Sequence, residues 1–395
     1  MKNFLSKRVL NLAPSETLAM AARAKAMRKE GIEVIDFSVG EPDFDTPEYI
    51  KKAAIEALKK GKTKYTPASG TLELKAAIAR KFWEDNKIKY EPENIIVSTG
   101  AKHSLYNIFQ AICEEGDEVI IPEPYWVSYP PQVALAGGKS VFIKTSLEEG
   151  FKIKPGQFKK KITARTKAII INSPSNPTGA VYTRKELEEI AEIAVEKDIL
   201  LISDEVYEKI IYDGAIHFSP ASFHKEIFDR TITVNALSKA YAMTGWRIGY
   251  AAGPSEIIKA CGRLQSQSTS NPTSISQEAG VAALGDGKEE IKKMVAEFKK
   301  RRDYILERLK KIDRLMAYKP EGAFYVFPKV KEIYSLGFKG SSDLAQAILE
   351  KAQVALVAGA PFGDDESIRI SYATSLENIV KGMDRLEGFF RREEF

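Results

Sequence analysis

The most informative segment of the sequence is Asn235-Ala-Leu-Ser-Lys-Ala-Tyr-Ala-Met-Thr-Gly-Trp-Arg-Ile-Gly-Tyr250. It places Lys239 just beyond an apolar run at residues 232–234. Ser238 precedes the lysine, and Arg247 follows it after eight residues. A neutral lysine can form a Schiff base with an aldehyde, whereas a hydroxyl group and an arginine can hold a phosphate. The segment therefore predicts a reactive lysine beside a phosphate site.

Pyridoxal phosphate (PLP) meets both requirements, because it carries an aldehyde and a phosphate on a ring that serves as an electron sink. The spacing Ser-Lys-x(7)-Arg resembles the Schiff-base motif of the class I aminotransferases, the aspartate aminotransferase family. For an isolated Ser-Lys pair, the alternative is a surface dipeptide after a strand. Trp246, Gly245 and Gly249 in the same block disfavour that alternative, and further segments agree with the resemblance.

The segment Leu201-Ile-Ser-Asp-Glu-Val-Tyr207 ends an apolar run at Asp204. A carboxylate that is buried there needs a cationic partner or it takes up a proton. A protonated pyridine nitrogen of PLP would be such a partner. By the resemblance, Tyr207 hydrogen-bonds the ring hydroxyl of the cofactor. A strand-end aspartate that caps a helix is the alternative interpretation.

A loop rich in proline follows another predicted strand, with the sequence Asn172-Ser-Pro-Ser-Asn-Pro-Thr-Gly179. It is similar to the N-P-x-N-P-T-G segment of the family, although Ser173 stands ahead of the first proline. The resemblance implies that Asn176 donates to the same ring hydroxyl as Tyr207. A rigid loop without a binding role is the alternative. Because Pro177 follows Asn176, an N-glycosylation site is excluded.

A predicted strand runs into a helix at residues 98–105. Free backbone N–H groups at a helix start form a natural phosphate site. Gly100, Ala101 and Lys102 match the phosphate-binding turn of the family. Further along, Trp126 stands where the family stacks an aromatic ring on the cofactor, and an ordinary core tryptophan is the alternative.

Arg369 lies in an alternating strand near the C-terminus and resembles the arginine that binds the substrate α-carboxylate in the family. The planar fork of an arginine matches both carboxylate oxygens. Gly40 matches the turn that closes on the same carboxylate, and Trp126 and Asn176 are expected to contact the substrate as well. A solvent-facing arginine is the alternative.

The resemblance covers nearly the whole chain and implies a ping-pong amino transfer between amino acids and 2-keto acids. In that reaction Lys239 is the catalytic residue, because it holds the aldehyde and moves the α-proton. The resemblance also implies a homodimer with shared active sites, in which Tyr65 reaches the phosphate of the neighbouring subunit. The alternative for Tyr65 is an aromatic residue in a turn.

The expected substrate is acidic, namely L-aspartate with 2-oxoglutarate as the acceptor. The larger branch of the family grips the second carboxylate with an arginine, but Ser266 stands at the matching position here. The thermophile-type branch, which this sequence resembles more, uses the lysine of the phosphate turn, here Lys102, with Ser15 and Thr17 near the site entrance. Aromatic amino acids or prephenate remain the alternative, and Lys102 can also be interpreted as a surface lysine.

Short β-rich runs alternate with amphipathic helices in the middle of the chain, which is typical of a largely parallel sheet covered by helices. The predicted strands are residues 94–98, 118–122, 140–144, 167–172, 199–203, 231–235 and 247–252. Most of the chemical segments follow one of these strands, where active-site loops gather. A capping box at Thr183 and Glu186 opens a predicted helix at 184–197.

A second unit is predicted after a long helix at about residues 288–312. Its predicted elements are strands 322–327, 354–357 and 367–372, a helix at 342–351, and a final helix that a capping box at Thr374 and Glu377 opens. The predicted fold class is α/β, the PLP-dependent transferase fold type I. Its large domain (46–287) holds a mostly parallel seven-stranded sheet flanked by helices, and its smaller α+β domain comprises residues 1–45 and 288–395.

Composition indicates a soluble globular protein, with 44% hydrophobic and 29% charged residues. The 59 basic and 54 acidic residues are interleaved, which disfavours a nucleic-acid-binding surface. Cys113 and Cys261 stand far apart, and the three histidines show no H-E-x-x-H spacing, so neither a disulfide framework nor a metal site is expected. No segment has the length of a signal peptide core or a membrane span, so the sequence predicts a cytoplasmic protein without a membrane partner.

Other functions on the same scaffold share these motifs. A PLP-dependent C–S lyase or an aminocyclopropane-carboxylate synthase would differ in the fate of the substrate, and a lyase would form a keto acid without an acceptor. A PLP-binding transcription regulator is disfavoured, because it needs an additional helix-turn-helix domain. Dinucleotide and P-loop sites are disfavoured, because neither G-x-G-x-x-G after an early strand nor G-x(4)-G-K-[ST] is present.

Overall fold

The computed structural model describes residues 4–12 and 16–391. The strands in those residues are β1 (Ile35–Asp36), β2 (Ile95–Thr99), β3 (Glu118–Glu123), β4 (Lys139–Lys144), β5 (Thr166–Asn172), β6 (Leu200–Asp204), β7 (Thr231–Ala236), β8 (Ile248–Ala252), β9 (Tyr325–Val326), β10 (Val354–Ala355), β11 (Val357–Ala358) and β12 (Ile368–Ser371). The α-helices are α1 (Lys7–Leu10), α2 (Glu16–Lys29), α3 (Glu48–Lys59), α4 (Leu72–Lys81), α5 (Ala101–Ile112), α6 (Tyr129–Leu135), α7 (Pro155–Lys161), α8 (Arg184–Glu196), α9 (Lys225–Phe228), α10 (Leu237–Ala240), α11 (Ser255–Ser268), α12 (Ser274–Gly285), α13 (Lys288–Leu309), α14 (Ser341–Ala352) and α15 (Leu376–Phe390).

The large sheet has seven strands in the order β2-β8-β7-β6-β5-β3-β4. Only β8 runs antiparallel to its neighbours in this sheet, and the remaining strand pairs are parallel. In the parallel register Asn172 lies opposite Asp204, and Asp204 lies opposite Val234. The carboxyl ends of β5, β6 and β7 therefore meet at one edge of the sheet, where ligands bind in open α/β folds.

Both faces of this sheet are covered, which explains the continuous apolar runs in its strands. Successive side chains of a strand point to opposite faces. In β5, Ala168 and Ile170 pack with residues of α5, whereas Ile169 and Ile171 pack with residues of α8. The sheet is thus a fixed platform, and the loops at its carboxyl edge carry the polar residues.

A smaller α+β domain packs against this platform. It contains an antiparallel sheet in the order β11-β12-β9 and a parallel pair formed by β1 and β10. Helix α13 buries Met294, Phe298, Ile305 and Leu309 in the core of this domain. The core also contains Tyr207, which follows β6, so the two domains share side chains at the carboxyl edge of the large sheet.

The seven predicted strands of the large sheet are confirmed to within one residue at each end. The predicted strand 354–357 is wrong as a single element, because β10 pairs with β1 whereas β11 pairs with β12. No described helix combines the length and the apolar character that a membrane span requires.

Of the two predicted capping boxes, the one at Thr183 and Glu186 is confirmed. The one at Thr374 is wrong, because Ser375 caps α15 and accepts a hydrogen bond from the Asn378 backbone N–H at 3.2 Å. The Thr374 hydroxyl instead accepts from the Asn378 side chain at 3.0 Å.

Candidate active site

A cavity of about 530 Å³ opens at the carboxyl edge of the large sheet, a volume typical of cofactor and small-molecule sites. Residues from both domains line it. The predicted site residues in its wall are Gly40, Ala101, Lys102, Trp126, Asn176, Asp204, Tyr207, Ser238, Lys239, Arg247 and Arg369. Segments that are far apart in the sequence therefore contribute to one site.

Lys239 lies on the short helix α10, directly after β7. Its Nζ donates a hydrogen bond to the backbone carbonyl of Gly40, which belongs to the loop after β1. The rings of Tyr207 and Phe324 lie 5.9 and 5.7 Å from Nζ. The amine is thus enclosed by ring faces and a single carbonyl, with no carboxylate in ion-pair contact among the described residues.

Burial lowers the pKa of Lys239 to about 8. The negative charge of Glu41 opposes this shift, and three positive charges act in the same direction as burial, those of Arg369, Arg247 and Lys102. A lysine with such a pKa is partly neutral near pH 7, and only the neutral amine is a nucleophile. The environment of Lys239 therefore suits the predicted attack on an aldehyde.

Asp204 at the end of β6 is buried, and both of its carboxylate oxygens accept hydrogen bonds. The hydroxyl of Tyr129 donates to Oδ2 at 2.6 Å, and the backbone N–H of Val206 donates to Oδ1 at 3.3 Å. Burial raises the pKa of Asp204 to about 6, and these two bonds limit the rise. The carboxylate is held ready to pair with a cation, and no described residue supplies one.

Sequence reasoning missed Tyr129, although it lies only three residues after Trp126. The two rings meet edge to face at 5.3 Å. Tyr129 and Asp204 are 75 residues apart in the chain, so no spacing rule connects them. The one indication in the sequence is that Tyr129 lies in the same segment as Trp126, which is predicted to stack on the cofactor.

Arg369 in β12 is 5% exposed and forms no ion pair with any described carboxylate. Its Nη1 donates to Oδ1 of Asn176 at 3.2 Å, and Nη2 donates to the Ser38 carbonyl at 2.7 Å. Its Nε is buried without a hydrogen-bond partner. A buried guanidinium that lacks a counter-charge is costly unless an anion binds there, so the arrangement indicates an anion site.

Two tyrosine hydroxyl groups meet in the wall of the cavity. Tyr207 and Tyr325 share a hydrogen bond of 2.8 Å, and the Arg369 guanidinium lies 4.5 Å from the Tyr325 ring centroid. The sequence predicts that Tyr325 lies in the strand 322–327, but it indicates no function for this residue. Its side chain fixes Tyr207 on one side and Arg369 on the other.

The predicted phosphate turn brings a helix start and an arginine together. Gly100 precedes α5 and has φ +81°, and a Cβ there would lie 2.3 Å from Nη2 of Arg247. A Cβ on Gly249 would lie 2.1 Å from the backbone nitrogen of Ala101. Both positions therefore require glycine. The free N–H groups of the helix start, the Arg247 guanidinium and the buried Ser238 form a typical anion cradle.

Lys102 and Trp126 lie together in the cavity wall. The Lys102 ammonium is 5.2 Å from the Trp126 ring centroid, within cation–π range. Burial, and then the charge of Arg247, lowers the pKa of Lys102. The cavity thus has cationic groups at Arg247, Lys102 and Arg369.

Not every predicted residue lies at this site. Tyr65 is 90% exposed and is not in the cavity wall. Ser266 is exposed on α11, and its hydroxyl donates to the carbonyl of Arg263 at 2.7 Å. Ser15 and the side chain of Thr17 lie outside the described residues.

A second buried cluster lies beside the site but outside the cavity. Glu205, Glu208 and His217 place potential ligand atoms within 4.8 Å of one another. Lys81 forms an ion pair with Glu208, and the Nε2 of His217 lies 3.1 Å from a Glu205 oxygen. The Glu208 carboxylate also accepts from Asn235 at 2.9 Å. Both carboxylates of this cluster are therefore already bound by side chains of the chain itself.

Comparison with known proteins agrees with this geometry. The sequence profile of the family described as "Aminotransferase class I and II" matches residues 32–386. An aspartate aminotransferase of Bacillus sp. (strain YM-2) is 51% identical over 392 residues, which cover 99% of this chain and 100% of that protein. A protein of Aquifex aeolicus named "Probable aspartate/prephenate aminotransferase" is 49% identical and is covered to 98%, as is this chain.

Among solved structures, the aspartate aminotransferase from Thermus thermophilus with maleate is similar in fold, with a TM-score of 0.93. It is 45% identical in sequence, and the match covers 98% of this chain and 100% of that chain. The predicted fold type I is thereby confirmed.

Proposed function

The chain belongs to the class I and II aminotransferase family, and on that premise we propose that it is an aspartate aminotransferase that uses PLP. It would convert L-aspartate and 2-oxoglutarate into oxaloacetate and L-glutamate by a ping-pong mechanism. The observation that carries the proposal is Lys239, whose pKa is lowered to about 8, in one cavity with Arg369 and Arg247, whose guanidinium groups form no ion pair with any described residue.

The residues of the cavity fit PLP. The turn at Gly100, where a side chain would collide with Arg247, leaves room for the phosphate against the start of α5. The buried Asp204 carboxylate would pair with the pyridine nitrogen, and Tyr207 and Asn176 would bind the ring hydroxyl. When bound, PLP supplies the electron sink that stabilises negative charge at the substrate α-carbon.

The chain's own residues would orient the substrate and move its proton. Arg369, with one face against Tyr325 and its Nε free, would bind the α-carboxylate. The Asn176 side chain fixes the guanidinium by accepting from Nη1. In its neutral form, Nζ of Lys239 would take the proton from the α-carbon, and such positioned proton transfer contributes roughly 10²–10⁴-fold to the rate.

Acidic specificity is supported by the charge of the cavity wall. Lys102 lies against Trp126 in the cavity wall and would bind the second carboxylate. The Thermus thermophilus aspartate aminotransferase of similar fold is described with maleate, which is a dicarboxylate. A dicarboxylate needs two cationic partners, and Arg369 with Lys102 provides them once Arg247 holds the phosphate.

The name of the Aquifex aeolicus relative favours a second candidate, an aminotransferase for prephenate or aromatic amino acids. Prephenate also carries two carboxylates, so it would use the same cations. A C–S lyase is a more distant alternative, which would form a keto acid without an acceptor from a substrate that carries a β-sulfur leaving group, such as L-cysteine.

Several further features are proposed along with this function. The cofactor-binding domain would span residues 46–287, and the small domain residues 1–45 and 288–395. The enzyme would be a cytoplasmic homodimer with shared active sites, in which the exposed Tyr65 reaches the phosphate of the neighbouring subunit.

The test is a single half-reaction. The protein is loaded with PLP, L-aspartate is added without an acceptor, and the visible absorbance of the bound cofactor is followed. Conversion of the cofactor with release of stoichiometric oxaloacetate supports the proposal. If the cofactor is converted by L-phenylalanine but not by L-aspartate, the protein is still an aminotransferase, but the proposed acidic substrate is wrong. A parallel incubation with L-cysteine in place of L-aspartate tests the lyase alternative. Continuous release of sulfide, pyruvate and ammonia without an acceptor would indicate β-elimination by a C–S lyase.

A further inference from the structure

The loop at residues 40–46, which we term the bridging segment, lies next to Lys239. It connects β1 of the small domain with α3 of the large domain. Besides the contact of Lys239 Nζ with the Gly40 carbonyl, the Thr244 hydroxyl donates to Oε2 of Glu41 at 2.7 Å. Thr46 donates to the Ala242 carbonyl at 2.6 Å. The bridging segment is therefore tied along its length to the turn that follows the catalytic lysine.

The opposite side of the bridging segment is held by helix α13. The buried Arg301 donates to Oδ1 of Asp43 at 2.7 Å, and its guanidinium lies 5.1 Å from the Phe44 ring centroid. Phe44 in turn meets Phe298 edge to face at 5.4 Å. Contacts on both sides define the position of Glu41 between them.

Glu41 has an unusual electrostatic position. It lines the cavity together with four cationic side chains, those of Lys102, Lys239, Arg247 and Arg369. Within the described part of the chain, no lysine or arginine forms an ion pair with it, and its recorded partner is the neutral Thr244 hydroxyl. The other lining carboxylate, Asp204, is bound by Tyr129 at the base of the cavity. Glu41 is thus an exposed carboxylate that lines a cavity suited to anions and forms no ion pair within the described part of the chain.

We propose that Glu41 is a specificity-determining residue that weakens the binding of ligands with two carboxylates relative to ligands with one. This inference rests on the proposed function. Every substrate carries an α-carboxylate, so the repulsion from Glu41 on that group is common to all ligands. A second carboxylate near Lys102 experiences an additional repulsion that a neutral side chain does not. Glu41 thereby keeps the cavity open to amino acids with uncharged side chains.

Its bond to Thr244 gives Glu41 a second, positioning role. The bond keeps the bridging segment next to Lys239 and the Glu41 carboxylate near the Lys239 nitrogen. The charge of Glu41 raises the pKa of that nitrogen, whereas the charges of Arg369, Arg247 and Lys102 lower it. The two roles are separable, because Glu41→Gln removes the charge and retains a hydrogen-bond acceptor, whereas Thr244→Val retains the charge and removes the donor.

The experiment compares these two variants with the wild type as full-length protein loaded with PLP. Dissociation constants for maleate, with two carboxylates, and for crotonate, with one, are measured from the visible absorbance of the bound cofactor at low and high salt. The pH midpoint of that absorbance is titrated in parallel. Glu289→Gln is the matched control, because Glu289 is an exposed carboxylate on α13 that pairs with Lys292 away from the cavity.

In Glu41→Gln we expect maleate to bind about fivefold more tightly at low salt and crotonate, with its single carboxylate, about twofold more tightly, and both gains should be smaller at high salt. The absorbance midpoint should move to lower pH. Thr244→Val should leave the ratio of the two dissociation constants unchanged while slowing turnover of every substrate, and Glu289→Gln should behave as the wild type.

The inference would be overturned if Glu41→Gln left the ratio of the maleate and crotonate dissociation constants unchanged. If both constants changed by the same factor, the result would indicate a structural role alone. If the wild type binds no maleate, the acidic specificity of the proposed function fails instead. The pH midpoint of the absorbance then still tests whether the charge of Glu41 acts on Lys239. A midpoint that is the same in Glu41→Gln and in the wild type would contradict this effect.

Discussion

Residues at the end of β6 and in the turn after it belong to two clusters of buried polar groups. The two clusters differ in whether their charged groups have partners within the chain. Asp204 and Tyr207 face the cavity, whereas Glu205 and Glu208 belong to the cluster with Lys81 and His217. In that second cluster every carboxylate has partners from the chain itself. In the cavity, the Nε of the buried Arg369 has no hydrogen-bond partner among the described residues, and the buried Asp204 forms no ion pair with any of them.

The pKa values express the same difference. Burial alone would raise the pKa of Glu208, but Lys81, Lys209 and His217 outweigh it and lower the value to about 2. Asp204 is buried to a similar degree without such cations, and its pKa is raised to about 6. Charges that are paired within the chain stabilise the fold, whereas charges left unpaired within reach of a cavity mark a place for a ligand.

The strongest test of this contrast is Lys239→Ala. We expect kcat to fall by more than about 10⁴-fold, because the proton carrier and the covalent attachment of the cofactor are lost together. Turnover and borohydride trapping of PLP on the chain measure the two losses. Near-normal turnover in this variant would refute the assignment of Lys239.

In the paired cluster, Glu208→Ala should affect stability rather than chemistry. It removes the carboxylate in contact with the buried Lys81 ammonium and leaves it with the Asn86 side chain at 2.7 Å and the Asp85 carboxylate at 3.9 Å, so we expect a loss of about 3 kcal/mol in the free energy of unfolding. Denaturant unfolding of the PLP-loaded protein measures it, with Glu289→Ala as an exposed control that should change by less than about 0.5 kcal/mol.

The pH dependence of this cluster follows from the same shift. The pKa of Glu208 is lowered from its ordinary value of 4.5 to about 2 in the folded protein, so its ion pairs stabilise the fold above about pH 4.5. That stabilisation is lost as the pH falls from 4.5 towards 2. The stability difference between wild type and Glu208→Ala should therefore shrink over this interval, and a constant difference would contradict the pairing.

A smaller effect is expected for Arg369→Lys, which keeps the positive charge but removes the planar fork. We expect kcat/KM to fall about 100-fold, equivalent to about 2.7 kcal/mol. Steady-state kinetics with L-aspartate measure it, and the exposed Arg263→Lys on α11 serves as the control. Unchanged kinetics would mean that the unpartnered Nε has no role in binding.

The smallest of these effects is expected for Tyr129→Phe. The hydroxyl lowers the pKa of Asp204 by donating to it, so its loss should raise that pKa further above about 6. Protonated Asp204 cannot pair with a cationic pyridine nitrogen, so PLP should bind about tenfold more weakly at pH 6 and nearly normally at pH 8. Equilibrium dialysis at both pH values measures this. Tyr125→Phe in the same segment is the control, and equal weakening at both pH values would contradict the mechanism.

Much of the site could be predicted because each functional residue follows a strand whose pattern is local. The run at residues 199–203 predicts a buried strand, and its end fixes Asp204 at the edge of the sheet. The same reasoning places Asn176 after β5 and Lys239 after β7. In a parallel sheet these strand ends share one edge, so the chemistry could be assembled without knowledge of any side-chain contact.

The contacts that tune those residues could not be predicted in this way. Tyr129 meets Asp204 across 75 residues of sequence, and Arg369 meets Asn176 across 193. Tyr325 meets Tyr207 from the other domain. Such pairs depend on how the domains pack, and sequence periodicity carries no information on that packing.

The sequence by itself therefore determined the sheet, the order of the chemical segments and the identity of the reactive lysine, because hydrophobic periodicity and residue chemistry are local properties. Only the tertiary structure decided which charges are paired. It assigned Lys81 to Glu208 and left Arg369 and Lys239 without a carboxylate in ion-pair contact among the described residues. Pairing depends on distances of a few ångströms between residues that are remote in the chain, and it is this pairing that separates a stabilising cluster from a binding site.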